Sequence, residues 1–187
     1  MLQLPIHRCL RVLLIAPHYP ENVGATCRAM KTMGFTRFGL VRPGRLALPD
    51  HPMAQKMAVK SWDVLDHAEI YDNVDEAVVG ADCVIGTTAR RGVSGVLAPS
   101  QVAEHILPLA ANKKQVVLLF GNEKSGLTSD ELKVCDLLLR VPIAADQPSL
   151  NLAQAVQVIC YEFFSSALRQ RTLPGSDSTD ANADEVG

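Results

Sequence analysis

No apolar run in these 187 residues reaches the ~18–20 residues that a membrane-spanning helix requires, so no membrane span is expected. The first apolar stretch, Val12-Leu13-Leu14-Ile15-Ala16, follows Arg8 and Arg11. It is shorter than the ~7–15 residues of a signal-peptide core, and Pro17 and His18 follow it in place of a small-residue cleavage site. The cysteines form no C-x-x-C pair. Cys9, Cys27, Cys83, Cys135 and Cys160 are scattered and odd in number, which fits reduced thiols in a cytoplasmic protein. The histidines at 7, 18, 51, 67 and 105 lack metal-ligand spacing, so no metal is expected. No G-x-G-x-x-G follows the first strand-like stretch and no G-x-x-x-x-G-K-[ST] occurs, which argues against dinucleotide and P-loop sites.

What remains is the composition of a folded domain. Hydrophobic residues make up 48% of the chain, enough for a substantial core in one domain. The net charge of −2 hides an asymmetry: residues 1–60 sum to +7 and residues 61–187 to −9. A basic N-terminal third suits a polyanion, although solvated faces balanced by the acidic remainder explain it equally simply. Beyond Arg171 the chain turns to Pro, Gly, Ser, Asp and Asn. The sequence therefore reads as a domain over 1–171 and a disordered acidic tail over 172–187.

Strand-like and helix-like segments alternate. Apolar runs at 11–17, 35–41, 83–87, 115–120 and 136–141 read as strands, with a short one at Ile70-Tyr71. Helices are expected from Asn22, as cap, to Met33, then over 53–61, 73–79, 99–111 and 128–134, and finally from Asn151 to Arg169. Such alternation predicts an α/β protein with a mostly parallel sheet and helices on both faces. Four polar or glycine-containing loops, at 17–24, 86–92, 121–127 and 142–151, would then share one sheet edge, where α/β folds bind ligands.

Three of these loops carry chemistry. Asn22-Val-Gly-Ala-Thr-Cys-Arg28 opens a helix, with Gly24 permitting close approach and Arg28 available to an anion; a capped helix bearing a surface arginine is the plain alternative. Gly121-Asn122-Glu123-Lys124-Ser125-Gly126 follows a wholly apolar strand and brackets one acid and one base with two glycines. It suits a ligand-wrapping loop with Glu123 as acceptor, or simply a turn before a Thr128-capped helix. Pro148-Ser149-Leu150-Asn151 opens the last helix at a strand end. Thr87-Thr88-Ala89 offers small residues and hydroxyls beside a ligand, and Arg90 and Arg91 are available to RNA.

Taken in order, Asn22 to Gly34, Leu119 to Leu127, and Val141-Pro-Ile through Ser149-Leu-Asn-Leu-Ala-Gln-Ala155 resemble the three motifs of the SpoU/TrmH branch of the SPOUT methyltransferases. Within it they are most similar to the TrmJ group of tRNA cytidine/uridine 2′-O-methyltransferases. The resemblance spans about residues 10–168. It implies an α/β fold with a deep C-terminal trefoil knot, a homodimer, and S-adenosylmethionine as methyl donor. Carried over by position, the donor site takes Thr87, Thr88, Ala89, Gly121, Ile143, Pro148, Ser149 and Leu150. Arg28, Glu123 and Asn151 take the catalytic positions, and Asn22, Arg28, Arg90 and Arg91 the RNA side. Among the departures from the group, the loop from Ile143 to Asn151 is about two residues shorter, an aromatic residue before the serine is replaced around Gln147-Pro148, and Asn122 stands in place of an arginine. The implied activity is RNA ribose 2′-O-methylation, on tRNA or else on rRNA; a non-catalytic RNA- or nucleotide-binding module is the competing class.

Overall fold

The computed structural model describes residues 2–146 and 150–172. Seven strands form one sheet: β1 (Leu10–Ile15), β2 (Phe38–Val41), β3 (Glu69–Tyr71), β4 (Cys83–Thr87), β5 (Val96–Leu97), β6 (Val116–Phe120) and β7 (Leu137–Leu139). Their order is β3-β2-β1-β6-β4-β7-β5, and every pairing is parallel. The helices are α1 (Pro5–Cys9), α2 (Pro20–Thr32), α3 (Pro52–Met57), α4 (Trp62–Asp66), α5 (Val74–Ala77), α6 (Pro99–Ala111), α7 (Ser129–Lys133) and α8 (Leu152–Thr172).

The strands are buried on both sides because alternate residues feed two cores. Val12, Leu14, Leu40, Ile85, Leu118 and Phe120 point to one face and pack with α2, α6 and α8, through residues such as Met30, Ile106, Val156 and Phe163. Leu13, Ile15, Val41, Val84, Val117 and Leu119 point to the other face and meet Val74 and Ala77 of α5, with Leu132 of α7 beside them. The expected parallel sheet covered on both faces is the observed one. The Leu152, Val156, Ile159 and Phe163 stripe of α8 is buried.

Several boundaries differ from the sequence expectation for local reasons. α2 begins at Pro20 with Tyr19 as cap residue, so Asn22 is the third helical residue and not the cap. A proline is favoured at the first helical position, where its missing N–H costs nothing. β2 starts at Phe38, because Gly34 turns the chain at φ +88° and the Phe35 N–H closes α2 onto the Met30 carbonyl at 3.0 Å. The helix expected over 53–61 is split. α3 stops at Met57, Lys60 takes a positive φ of 58°, and α4 begins again at Trp62. α1 and the two-residue β5 were not expected; both are too short to leave a periodic signal. Of the expected tail at 172–187, Thr172 ends α8 and the rest lies outside the described residues. Among the described residues no helix is long and apolar enough to cross a membrane, and no cluster of His, Cys, Asp and Glu could hold a metal.

Candidate ligand site at the strand ends

Because all strands run parallel, the loops after β4, β6 and β7 emerge at the same edge. They enclose a cavity of about 700 Å³, within the ~300–1,000 Å³ of small-ligand sites. Its floor is apolar: Phe120 and Leu139 from strand ends, with Leu152, Ala155 and Ile159 from α8. The walls are the backbone and side chains of 87–91, 121–127 and 139–143, with Ala145, Asp146 and Leu150.

Of the donor-site residues assigned by resemblance, Thr87, Thr88, Ala89, Gly121, Ile143 and Leu150 all line this cavity. Pro148 and Ser149 lie outside the described residues. Two of the assigned residues already have local duties. The Thr87 hydroxyl donates to the Leu119 carbonyl at 2.9 Å, tying β4 to β6. At Gly121, an added Cβ would meet the carbonyl carbon of Gly126 and the nitrogen of Leu127 at 2.1 Å. The glycine therefore lets the 121–127 loop fold back on itself, and that closure shapes the wall.

Arg90 and Arg91 are on the wall as well. An Arg90 Nη2 donates to the Ser125 carbonyl at 3.2 Å and an Arg91 Nη2 to the Asp146 carbonyl at 3.1 Å, so each bridges two wall segments. Arg140 donates to the carbonyl of Arg90. Its Nε is buried with no hydrogen-bond partner among the described residues. Sequence reasoning passed over Arg140; only the cavity marks it.

Beside the cavity a chain of side-chain hydrogen bonds joins three segments far apart in sequence. Glu123 accepts from the backbone N–H groups of His18 at 2.9 Å and Tyr19 at 3.2 Å, and from Asn22 Nδ2 at 3.1 Å. Asn22 Oδ1 accepts in turn from Asn151 Nδ2 at 2.9 Å. Asn151 Oδ1 caps α8 by accepting from the Ala153 N–H at 2.9 Å, while Gln154 reaches back to the Asn151 N–H at 3.0 Å. The Glu123 carboxylate thus sits at the N-terminal end of α2, where the helix dipole favours negative charge. Asn122 anchors its own loop: its Nδ2 donates to the Ala16 carbonyl at 2.7 Å, and its Oδ1 accepts from the Lys124 N–H at 2.9 Å.

Arg28 lies apart from this arrangement. It is exposed on the third turn of α2 and does not line the cavity. Among the described residues its guanidinium has no hydrogen-bond or ion-pair partner. Gly24, one turn earlier, serves packing: its Cβ would meet the Ala54 carbonyl oxygen at 2.0 Å, so α2 and α3 touch backbone to backbone. All five thiols are free, and burial pushes each one up, Cys83 to about 11 and Cys135 and Cys160 to about 12. They are packing residues, not nucleophiles.

A parallel α/β sheet with one cavity-forming loop cluster at its C-terminal edge defines a ligand-binding domain of the open-sheet class. The chain belongs to the SpoU rRNA Methylase family, whose model matches residues 9–161. It is 39% identical over 180 residues to the tRNA (cytidine/uridine-2′-O-)-methyltransferase TrmJ of Photorhabdus laumondii, covering 95% of this chain and 70% of that protein. Crystal structures of TrmJ from Z. mobilis and of a methylase family protein from Neisseria gonorrhoeae are similar in fold. The first is 35% identical with a TM-score of 0.76 over 83% of this chain and 69% of that one. The second is 31% identical with a TM-score of 0.80 over 100% and 91%. The chain spans 70% of the Photorhabdus protein and 59% of a TrmJ from Sodalis glossinidius.

Proposed function

We propose that this chain methylates a ribose 2′-hydroxyl of RNA with S-adenosylmethionine as donor, and that the RNA is tRNA. The observation that carries the reading is the hydrogen-bonded chain Glu123–Asn22–Asn151, which assembles all three family motifs beside one cavity. The cavity residues fit the donor. An apolar floor suits an adenosine moiety, and the buried Arg140 Nε, without a partner among the described residues, offers a donor hydrogen where an anionic group would be welcome. Thr88, Ala89, Gly121, Ile143 and Leu150 would hold it, with Pro148 and Ser149 by resemblance. Bound there, S-adenosylmethionine supplies an electrophilic methyl group to the ribose hydroxyl. The protein orients the RNA and stabilises charge on the hydroxyl oxygen as its proton passes to the adjacent phosphate or to water. A guanidinium donates hydrogen bonds and accepts none, so Arg28 acts as an anchor for the adjacent phosphate and not as a base. Arg90 and Arg91 contribute to the RNA side of the wall, and Asn22, Glu123 and Asn151 fix the geometry.

The same reading includes a C-terminal trefoil knot. It is supported by β7 pairing between β4 and β5, two strands that precede it in the chain, and by Arg91 gripping the Asp146 carbonyl across that crossing. It also includes a homodimer in the cytoplasm, supported by two apolar side chains one turn apart on the outer face of α8, Val158 and Tyr161, exposed by 39% and 55%.

Calorimetric titration with S-adenosylmethionine separates an enzyme from a non-catalytic module, which would show no binding. Incubation with tRNA and with rRNA from a host lacking the gene, followed by mapping of 2′-O-methyl sites, then decides the substrate. Methylation confined to rRNA would overturn the tRNA assignment.

A further inference from the structure

Resting on the RNA-methylation reading, the geometry points to His18 and Tyr19 as a stacking platform for an unpaired base of the substrate RNA, next to the methyl-transfer cavity. Both residues are exposed, Tyr19 by 42%. Their rings meet edge to face with centroids 4.8 Å apart, a geometry that aromatic pairs favour. Neither ring lines the donor cavity or fills the core.

What distinguishes this pair from ordinary surface aromatics is how firmly it is held. Both backbone N–H groups donate to the same carboxylate, that of Glu123, itself a cavity-lining residue. Tyr19 is also the cap residue of α2, and Pro20 fixes the next φ. The main chain under both rings is thus tied to the catalytic loop by charge-assisted hydrogen bonds, and a rigid exposed aromatic surface binds a base with little loss of entropy.

The surroundings match a nucleic-acid strand. The Gly44 N–H donates to the Pro17 carbonyl at 3.0 Å, which places the loop after β2 beside His18. That loop presents exposed Arg45, and the catalytic loop presents exposed Lys124 next to Glu123. Among the described residues neither cation makes an ion pair. An aromatic pair on a sheet edge with cations on the neighbouring loops is the arrangement single strands use: bases stack on rings while cations follow phosphates. A folded protein partner would instead be expected to bury a larger apolar area than this pair offers.

The test compares binding of unmodified tRNA transcript by the full chain and its variants across a salt series. Tyr19→Ala should weaken binding about 5- to 150-fold, the range of one base–aromatic stack, with an unchanged salt slope. Tyr19→Phe should bind like the parent. Arg45→Ala and Lys124→Ala should each lower the salt slope by about one. Titration with S-adenosylmethionine should be the same for the Tyr19 and Arg45 variants, which reports an intact fold and donor site; Lys124 lines the cavity wall, so its variant is read by the salt slope alone. Parental affinity in Tyr19→Ala, or equal loss in Tyr19→Phe, overturns the platform while leaving the methyltransferase reading in place. A parent chain that binds the methyl donor but no tRNA overturns both the tRNA assignment and the platform. Loss of RNA affinity accompanied by dissociation of a dimer in Tyr19→Ala would make the ring an interface residue and likewise overturn the proposal.

Discussion

Asn151 Nδ2 donates to Asn22 Oδ1 at 2.9 Å, joining the first turns of the helices α8 and α2 across 129 residues of chain. Each amide serves two partners. Asn22 passes its own Nδ2 hydrogen to Glu123, and Asn151 turns its oxygen to the Ala153 N–H. Neither residue could be replaced by an acid without reversing one of these donor–acceptor roles.

Asn151→Ala should therefore remove a helix cap and leave a buried amide oxygen on Asn22 without its donor. The expected loss is about 1–2 kcal/mol, the usual cost of deleting such a cap. Urea unfolding of the variant should show a lower midpoint at unchanged slope. An unaltered midpoint would mean that the chain of amides carries no stability.

Gly24→Ala should be more damaging than its single methyl group suggests. The new Cβ would stand 2.0 Å from the Ala54 carbonyl oxygen and 3.0 Å from the Ala58 nitrogen. Backbone cannot rotate aside as a side chain can, so α2 and α3 must separate. Overpacking of this kind costs about 1–3 kcal/mol, read as a fall in thermal midpoint. Because α2 also carries Asn22, donor binding should weaken in parallel.

The contrast between these two positions shows what was legible in the sequence. Helix α6 was read at its observed limits, Pro99 to Ala111, since a proline start and an apolar stripe are local signals. Strand β6 stood out as an unbroken apolar run. A cap at Ser149 or Asn151 was legible for the same reason, and Asn151 takes that role. Glu123 was readable as an acceptor, but not that its donors are the N–H groups of His18 and Tyr19, over 100 residues earlier. Gly24 suggested close approach by a ligand or by backbone, and Gly121 a ligand-wrapping loop; in the fold both make room for backbone. Arg140 gave no local signal, because its meaning depends on which loop crosses it. Periodicity and caps are short-range properties, whereas strand order decides which loops meet.

Acid should destabilise the fold through His7. This side chain is buried, packed edge-on to Phe35 at 5.1 Å and stacked with Phe164 at 5.9 Å, and its Nδ1 accepts from the Leu4 N–H at 3.1 Å. Burial pushes its pKa below the ordinary 6.5, with the Met33 backbone opposing part of the shift. The unfolded chain then takes up a proton at a pH where the folded chain does not. The His7 contribution is complete above about pH 6.5 and declines as the pH falls toward the lower folded value. Unfolding midpoints measured between pH 7.5 and pH 5 should drop, and His7→Leu should flatten that profile. An equal slope in the variant would assign the acid sensitivity elsewhere.

Arg28 presents the sharpest functional expectation, because its position separates binding from turnover. It is exposed, unpartnered among the described residues, and outside the cavity wall. Removing it should leave the donor site untouched, so Arg28→Ala should bind S-adenosylmethionine with the parental affinity and unfold at the parental midpoint. If the guanidinium holds the phosphate beside the reacting ribose and stabilises charge on its oxygen, turnover should fall by at least 100-fold, in line with the loss of one preorganised donor to a developing oxyanion. Arg28→Lys keeps the charge but loses the planar fork, and should recover RNA affinity more fully than rate. Single-turnover methylation at saturating RNA makes the distinction. A rate in Arg28→Ala within a few fold of the parent would remove Arg28 from the chemistry and leave it a surface residue of α2.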